Sequence, residues 1–171
     1  MSLDDPRHPV SRRALCGLLL GFGTLPLAPR PALAQRREPA VGPLSPLVIV
    51  TAAGQQHRFR VELAADDQAR ARGLMFRKEL PADQGMLFDY GGTEREVAMW
   101  MQNTLIPLDM LFIRADATIL SIAERTVPLS TDSIYAGGPV RAVLELNGGT
   151  VARLGIRPGD RILHKVFGNL P

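Results

Sequence analysis

The chain has 171 residues, 46% of them hydrophobic, with 20 basic and 17 acidic side chains. The two signs of charge alternate without a basic block, which argues against nucleic acid and against an anionic membrane surface as partners. A single cysteine, Cys16, excludes an internal disulfide framework and a cysteine metal site. The length predicts one domain with a sizeable core of its own.

The first 34 residues have the pattern of an export signal. Ser11-Arg12-Arg13 supplies a positive region, an apolar run covers 14–27, and Ala32-Leu33-Ala34 has the small residues of a cleavage site. The run is too short and too rich in proline for a spanning helix, which needs about 20 apolar residues. The paired arginines favour the twin-arginine route over the general secretory route. We expect a periplasmic or secreted protein without a membrane span after cleavage near Ala34.

The rest of the chain predicts a tether followed by one domain. Residues 35–46 are rich in proline and charge, as in a flexible tether, and the domain is expected to span 47–171. Short apolar or alternating segments between Gly, Pro and Asp turns predict about eight strands. These predicted strands cover residues 47–51, 57–63, 85–88, 97–101, 108–113, 118–123, 142–146 and 161–166.

Helical signals are few. A short helix is predicted over 69–72, with Asp66 as its N-cap and Gly73 at its end, and a single helical turn over 151–154. Many short strands with one short helix predict a mainly β (α+β) fold, a single compact domain that resembles a small barrel.

Two irregular segments interrupt the strands. Pro107 lacks an amide donor, so residues 103–108 are predicted to form a bend or bulge that re-aims polar side chains toward a cleft. Residues 124–138 form a second irregular segment, and loops of about 15 residues are often functional or mobile. Polar residues inside the apolar context of the bend need hydrogen-bond partners, because unpaired burial is costly.

Several motifs together carry a resemblance to a known family. They are Phe59-x-Val61-Glu62-Leu63-Ala64, Gly73-Leu74-Met75-Phe76-Arg77, Gly85-Met86-Leu87-Phe88, Trp100-Met101-x-Asn103-Thr104-x-x-Pro107-Leu108-Asp109, Val143-Leu144-Glu145-Leu146 and Gly155-x-x-x-Gly159-Asp160. In this order they resemble the family catalogued as domain of unknown function 192, over about 59–166. The resemblance implies one compact, mostly β domain without an established reaction.

A cleft around the bend is the leading candidate site. Its predicted ligand-binding residues are Arg77, Trp100, Asn103, Thr104, Asp109, Tyr135 and Glu145. The indole offers a broad apolar face with one donor, and the segment 130–138 would act as a lid. The leading hypothesis is a non-enzymatic binding or accessory module for a small polar ligand or a peptide segment. The sequence does not specify an oligomeric state.

Alternatives remain open for the same residues. Arg77 has a structural alternative, an ion pair with Asp109 or Glu145 that fixes the bend. A hydrolase or lyase would use Asp109 and Glu145 as an acid and base pair, which requires the two carboxyls to converge. The two histidines beyond the leader, His57 and His164, are expected to face solvent on strands.

A third function would be soft-metal handling. Thioethers select soft ions such as Cu(I), although methionine is also an adaptable core residue. The candidate ligands are Met75, Met86, Met99, Met101 and Met110. The sequence contains no paired-histidine metal spacing, nucleophile elbow or phosphate-binding glycine loop. We therefore predict neither a cofactor nor a metal site.

Overall fold

The computed structural model describes residues 42–170. The predicted export signal over 1–34 and the tether residues 35–41 lie outside this range. Residues 42–170 contain nine strands: β1 (Leu44–Val50), β2 (Gln56–Ala64), β3 (Gln84–Asp89), β4 (Ala98–Met99), β5 (Leu108–Ile113), β6 (Ile119–Ala123), β7 (Ile134–Tyr135), β8 (Ala142–Asn147) and β9 (Arg161–Leu163). The helical elements of the same range are α1 (Asp67–Arg72), α2 (Thr150–Leu154) and a 3₁₀ turn over Lys165–Phe167.

Seven strands form one curled sheet in the order β6-β5-β8-β3-β2-β1-β9, and β4 pairs with β7 in a small separate ribbon. The β2 and β3 strands are parallel because α1 crosses between them, whereas every other strand pair is antiparallel. The sheet edges meet where Ile119 N donates to Asp160 O at 2.9 Å and Ile162 N donates to Ala117 O at 2.8 Å. The predicted mainly β, barrel-like fold is therefore confirmed.

Both faces of the central strands are buried. All six residues of β5 are buried, and they alternate between two apolar clusters: Leu111 and Ile113 join one, Met110 and Phe112 the other. The first cluster draws on strands from the whole sheet and fills its concave face. The second lies on the convex face of β3, β5 and β8. Burial on both sides explains why these strands are almost continuously apolar in sequence.

The start of the domain differs from the prediction. The first strand begins at Leu44, so residues 44–46 of the predicted tether belong to the sheet. They pair with β2, with Leu44 opposite Glu62. The proline of this segment, Pro46, disguises the strand in the sequence, because proline normally marks an edge or an interruption.

Two other predicted strands are shorter than expected. The strand predicted over 97–101 contains only Ala98–Met99, which pairs with Ile134–Tyr135 inside the segment predicted to be irregular. The strand predicted over 161–166 ends at Leu163 and continues into the 3₁₀ turn. The ribbon forms by pairing with a distant segment, which the local sequence does not reveal, whereas β9 ends where His164 N donates to Asn169 Oδ1 and Val166 N donates to His164 Nδ1.

The helix α1 has the predicted ends. The Asp66 side chain accepts a hydrogen bond from Ala69 N at 2.7 Å, and Gly73 N donates to Ala69 O at 2.9 Å. Across the described range 42–170, every helix is too short or too polar to cross a membrane. The end of α1 matters for function because the chain leaving it crosses the convex face of the sheet.

Candidate functional site

A row of side chains crosses the convex face of the sheet. The strand registers place Glu62 beside Met86, Met86 beside Glu145, and Glu145 beside Met110. Residues opposite one another in adjacent strands lie on the same face. Two buried glutamates, 5% and 4% exposed, therefore flank one methionine on a face that is otherwise apolar.

Arg77 forms a buried ion pair with Glu62. Its Nη1 contacts Glu62 Oε1, and its Nη2 donates to Glu62 Oε2 at 2.7 Å. Gly42 N adds a third hydrogen bond to the carboxylate at 3.0 Å. The prediction that Arg77 pairs with Asp109 or Glu145 is therefore wrong. The Arg77 Nε atom is buried without an acceptor in the described range.

The Glu145 carboxyl has a different environment. Within residues 42–170 no group donates a hydrogen bond to it, and it forms no ion pair. Burial raises the pKa of Glu145 to about 8, and the positive charge of Arg77 opposes this only in part. Desolvation penalises the charged carboxylate, so the side chain holds a proton at neutral pH. It is thus a neutral hydrogen-bonding group without a partner.

Two cavities lie on either side of the end of α1. The smaller, about 30 Å³, has Glu145, Trp100 and Thr104 among its lining residues. The larger, about 310 Å³, is lined by the Glu62 and Arg77 ion pair. Arg72 and Gly73 line both cavities. We call the two cavities together the α1 groove.

Arg72 brings an available positive charge to this groove. Its side chain is exposed, and no residue of the described range pairs with its guanidinium. The neighbouring Arg70 is different, because its Nη1 donates to Ala65 O and Asp89 O and its Nη2 to Asp67 Oδ1. Arg72 is therefore the guanidinium of α1 that is free to meet a ligand.

An exposed apolar surface adjoins the smaller cavity. Large hydrophobic side chains in the described range that remain well exposed are Phe76, Trp100, Leu105, Val127, Leu129 and Tyr135. Backbone hydrogen bonds hold their segments together: Phe76 N donates to Asn103 O at 2.8 Å, and Leu129 N to Thr104 O at 3.0 Å. We call these six residues the apolar rim. Exposed apolar side chains near a cavity can extend a binding site.

The bend after Trp100 carries local backbone strain. Asn103 and Phe76 both have positive φ angles, 57° and 66°. Phenylalanine rarely occupies the left-handed region, and such residues cluster at binding and catalytic sites. The predicted bend is present, and Asn103 serves it through its backbone, since its carbonyl oxygen accepts the hydrogen bond from Phe76 N.

Asp109 and Glu145 do not converge. Asp109 lies opposite Leu146, so it faces the concave side of the sheet, while Glu145 faces the convex side. The Asp109 carboxylate accepts hydrogen bonds from Arg125 N, Gly149 N and Val151 N at 2.8–3.0 Å. It anchors the start of α2, and the two carboxyls share no cleft that an acid and base pair requires.

Some of the predicted ligand-binding residues line the two cavities and others do not. Trp100, Thr104 and Glu145 line the smaller cavity, and Arg77 lines the larger one. Asn103 and Tyr135 line neither of these cavities. Tyr135 is 72% exposed and lies in the ribbon opposite Ala98, on the apolar rim.

A buried serine and histidine pair lies elsewhere, at β1. His164 is fully buried, so its predicted exposure to solvent is wrong. Its Nδ1 accepts a hydrogen bond from Val166 N at 3.2 Å, which places the ring proton on Nε2, 2.8 Å from Ser45 Oγ. The Ser45 hydroxyl donates to Val61 O. His164 therefore donates to the serine and does not act as its base.

The methionine sulfurs have separate polar neighbours. Met99 Sδ accepts a hydrogen bond from Tyr90, Met101 Sδ from Thr126, and Met75 Sδ has a long contact with Asn103 Nδ2. No group of three or more His, Cys, Asp or Glu side chains within 42–170 is arranged to hold a metal ion. The soft-metal hypothesis stays a prediction, without an observed cluster of sulfurs behind it.

Two groove residues were absent from the predicted site. Glu62 occupies the same strand face as the exposed Arg58 and Arg60, so alternation alone makes it look like another solvent-facing charge. Arg72 ends a short polar helix and looks like a surface cation. A signal that could have identified Glu62 is its place in the family motif Val61-Glu62-Leu63. A charged residue on the solvent-facing side of a strand would not need to be part of such a motif.

Comparisons with known proteins agree with this fold. The sequence profile of domain of unknown function 192, described as an uncharacterized ACR, matches residues 48–164. A crystal structure of a "putative transcription regulator" from Sinorhizobium meliloti 1021 is 50% identical with a TM-score of 0.69, covering 72% of this chain and 96% of that chain.

A second crystal structure is also similar. A protein of unknown function from Novosphingobium aromaticivorans DSM 12444 is 40% identical with a TM-score of 0.68, covering 80% of this chain and 99% of that one. No curated protein matches the chain. These similarities concern sequence and fold, and the α1 groove is the feature from which an activity must be argued.

Proposed function

The chain belongs to the domain of unknown function 192 family, and from this premise we propose that it is a binding or accessory module whose α1 groove takes a small polar ligand or a peptide segment. The larger cavity has the volume of a small-molecule site, which is typically 300 Å³ or more. The adjoining apolar rim extends the surface available to a longer ligand. Both features belong to one side of the sheet.

The observation that carries this proposal is the unpartnered Glu145. A buried polar group without a hydrogen bond costs roughly 1–3 kcal/mol, and the fold satisfies Asp109 fully one strand away. A ligand that bonds to Glu145 recovers the cost. The carboxyl lies in the wall of a cavity beside the half-exposed Trp100, which is the arrangement of a recognition group.

The location we propose is outside the cytoplasm, after removal of residues 1–34. The support is the sequence pattern of the leader alone, with its paired Arg12 and Arg13. Fractionation of cells that express the full chain tests it. Twin-arginine export predicts that Arg12→Lys with Arg13→Lys retains the protein in the cytoplasm, whereas secretion by the general route tolerates both lysines.

A thermal-shift screen of the full chain tests the binding role. The panel contains sugars, cell-wall fragments, amino acids and short peptides, since a ligand at about 100 times its Kd adds roughly 2.7 kcal/mol of stability. We expect a shift that Trp100→Ala and Glu145→Leu abolish in folded protein. Arg153→Ala, at an exposed position of α2 outside both cavities and the apolar rim, is the control and should keep it. A shift that survives both groove variants would place the site elsewhere.

A further inference from the structure

The groups left without partners in the α1 groove define the chemistry of its ligand. Resting on the proposed binding function, we infer that the groove recognises a carboxylate attached to an apolar group. The carboxylate meets Glu145 and Arg72, and the apolar part lies against Trp100. Two sources offer this chemistry, the free C-terminus of a peptide and a small carboxylic acid.

The groups of the smaller cavity that lack partners are hydrogen-bond donors. Arg72 lines the smaller cavity and has no partner in the described range. Glu145 is 4% exposed and has no cation within ion-pair distance, which favours its neutral form, a hydroxyl donor. Two donors without acceptors, Arg72 and Glu145, call for a ligand that supplies acceptor oxygens.

The charges around the smaller cavity favour an anionic ligand. Arg70, Arg72 and Glu145 line the smaller cavity together, and Arg77 lies next to it. Arg77 is compensated by Glu62 and Arg70 by Asp67, whereas Arg72 is uncompensated. A cationic ligand would be repelled by Arg72 and would require Glu145 to lose its proton. An anionic oxygen is attracted to both groups.

The shape of a carboxylate suits these two donors. A carboxylate presents two oxygens in one plane, so it can receive the Glu145 hydroxyl with one and the Arg72 guanidinium with the other. Hydrogen bonds to a charged acceptor are shorter and about twice as strong as neutral ones. The cavity lined by Glu145 is small, about 30 Å³ against about 310 Å³ for the larger one, so it suits a small group such as a carboxylate better than a bulky side chain. The remainder of the ligand must lie outside it.

Outside the cavity the ligand meets apolar surface. Trp100 stands at its edge, 51% exposed, and Leu74 and Met99 also line it. Phe76, on the apolar rim, is 49% exposed. An apolar group next to the carboxylate would cover this surface, whereas a free acetate ion would leave it in water. We therefore expect affinity to rise with the apolar size of the carboxylate.

Calorimetric titration of the full chain tests the inference. The small probes are hexanoate, hexanamide and hexylamine. The peptide probes are acetyl-Ala-Leu-Phe with a free and with an amidated C-terminus. At pH 7 we expect at least one acid to bind tenfold or more tightly than its amide, with hexylamine weakest. Binding of hexanoate alone identifies a small acid as the source, and binding of the peptide acid alone identifies a C-terminus.

Variants separate recognition from folding. Arg72→Ala and Glu145→Leu should each weaken the acid at least tenfold, while Glu145→Gln, which keeps a neutral donor, should stay within about threefold. Arg153→Ala, at an exposed arginine of α2, is the matched control and should change nothing. Thermal melts establish that each variant is folded before its affinity is compared.

The pH dependence of binding separates a recognition role of Glu145 from a purely structural one. Wild-type affinity should fall between pH 7 and 9 as Glu145 loses its proton, and Glu145→Gln should hold its affinity. The other ionisable groups lining the cavity are Arg70 and Arg72. Those close by are the paired Arg77 and Glu62, and Tyr90, whose pKa burial raises to about 12.

The outcomes distinguish the two proposals. Equal affinity for acid and amide, or preference for the amine, overturns the carboxylate inference while the groove remains a binding site. Failure of both acids to bind also overturns it. If the broader ligand screen is silent as well, the proposed binding function fails with it.

Discussion

Asp109 and Glu145 are both buried carboxyls on neighbouring strands, yet their surroundings are opposite. Asp109, fully buried, accepts three backbone hydrogen bonds. Glu145, almost as buried, receives none from the described residues. The comparison shows that burial of an acid does not by itself identify a site. The number of hydrogen bonds it has separates an anchoring carboxylate from one that is left for a ligand.

The difference follows from the face of the sheet on which each carboxyl lies. The concave side at Asp109 receives the Gly148 and Gly149 turn and the start of α2, whose amides have no partners within their own helix. The convex side at Glu145 is covered by side chains of the 72–77 segment and Trp100. That covering leaves cavities and supplies no donor to the carboxyl.

The largest effect is expected from removal of the anchoring carboxylate. Asp109→Ala leaves three amides, one of them fully buried, without an acceptor, and each costs roughly 1–3 kcal/mol. We expect a loss of about 5 kcal/mol in the free energy of unfolding, measured by urea denaturation, or failure to fold. The control, Asp132→Ala at an exposed position, should cost less than about 0.5 kcal/mol. A well-folded Asp109→Ala protein would remove the distinction between the two carboxyls.

The second effect is a gain in stability, expected from the replacement of Glu145. Between its ordinary pKa of 4.5 and its folded value of about 8, Glu145 binds more protons in the folded state than in the unfolded state. The stability that comes from keeping Glu145 protonated is therefore fully present below about pH 4.5, and it is lost as the pH rises toward 8. Glu145→Gln mimics the neutral acid, so it should raise the free energy of unfolding by about 4 kcal/mol at pH 8 and change it little at pH 4.5.

Urea denaturation of both proteins from pH 4.5 to 8 measures this difference. Glu145→Asp, which keeps the carboxyl, is the control and should retain a pH dependence of the same sign. A constant difference between wild type and Glu145→Gln across the series would mean that Glu145 already has a partner that stabilises its charge.

The third effect is smaller and concerns His164, a buried side chain that has hydrogen-bond partners, as Asp109 has. Burial, followed by the positive charge of Lys165, lowers the pKa of His164 from 6.5 to about 4. The folded protein therefore keeps His164 neutral, and the resulting stability is present above pH 6.5 and is lost as pH falls toward 4. We expect about 2 kcal/mol to disappear between pH 7 and 4.5. NMR titration of the histidines checks the assignment, and a His164 pKa near 6.5 would contradict it.

Most elements of the fold were predictable from the sequence. The apolar run Leu108–Ile113, the alternation of 57–63 and the Asp66 cap with the Gly73 end each specify local structure that the chain adopts. The errors lie where distant segments meet. The two-residue strands of the ribbon exist only because 98–99 and 134–135 pair across 35 positions of chain.

The sequence predicts the mainly β domain, its helix ends and the presence of polar residues in an apolar setting, because these follow from local periodicity, capping and turn chemistry. It did not determine which polar residues meet. A strand's alternation tells that Asp109 and Met110 face opposite sides, but only the register of β5 against β8 places Asp109 opposite Leu146 and Glu145 opposite Met110. Only the tertiary structure shows that Arg77 pairs with Glu62, that three amides bond to Asp109, and that Glu145 faces a cavity. The reason is that hydrogen-bond partners depend on proximity in three dimensions.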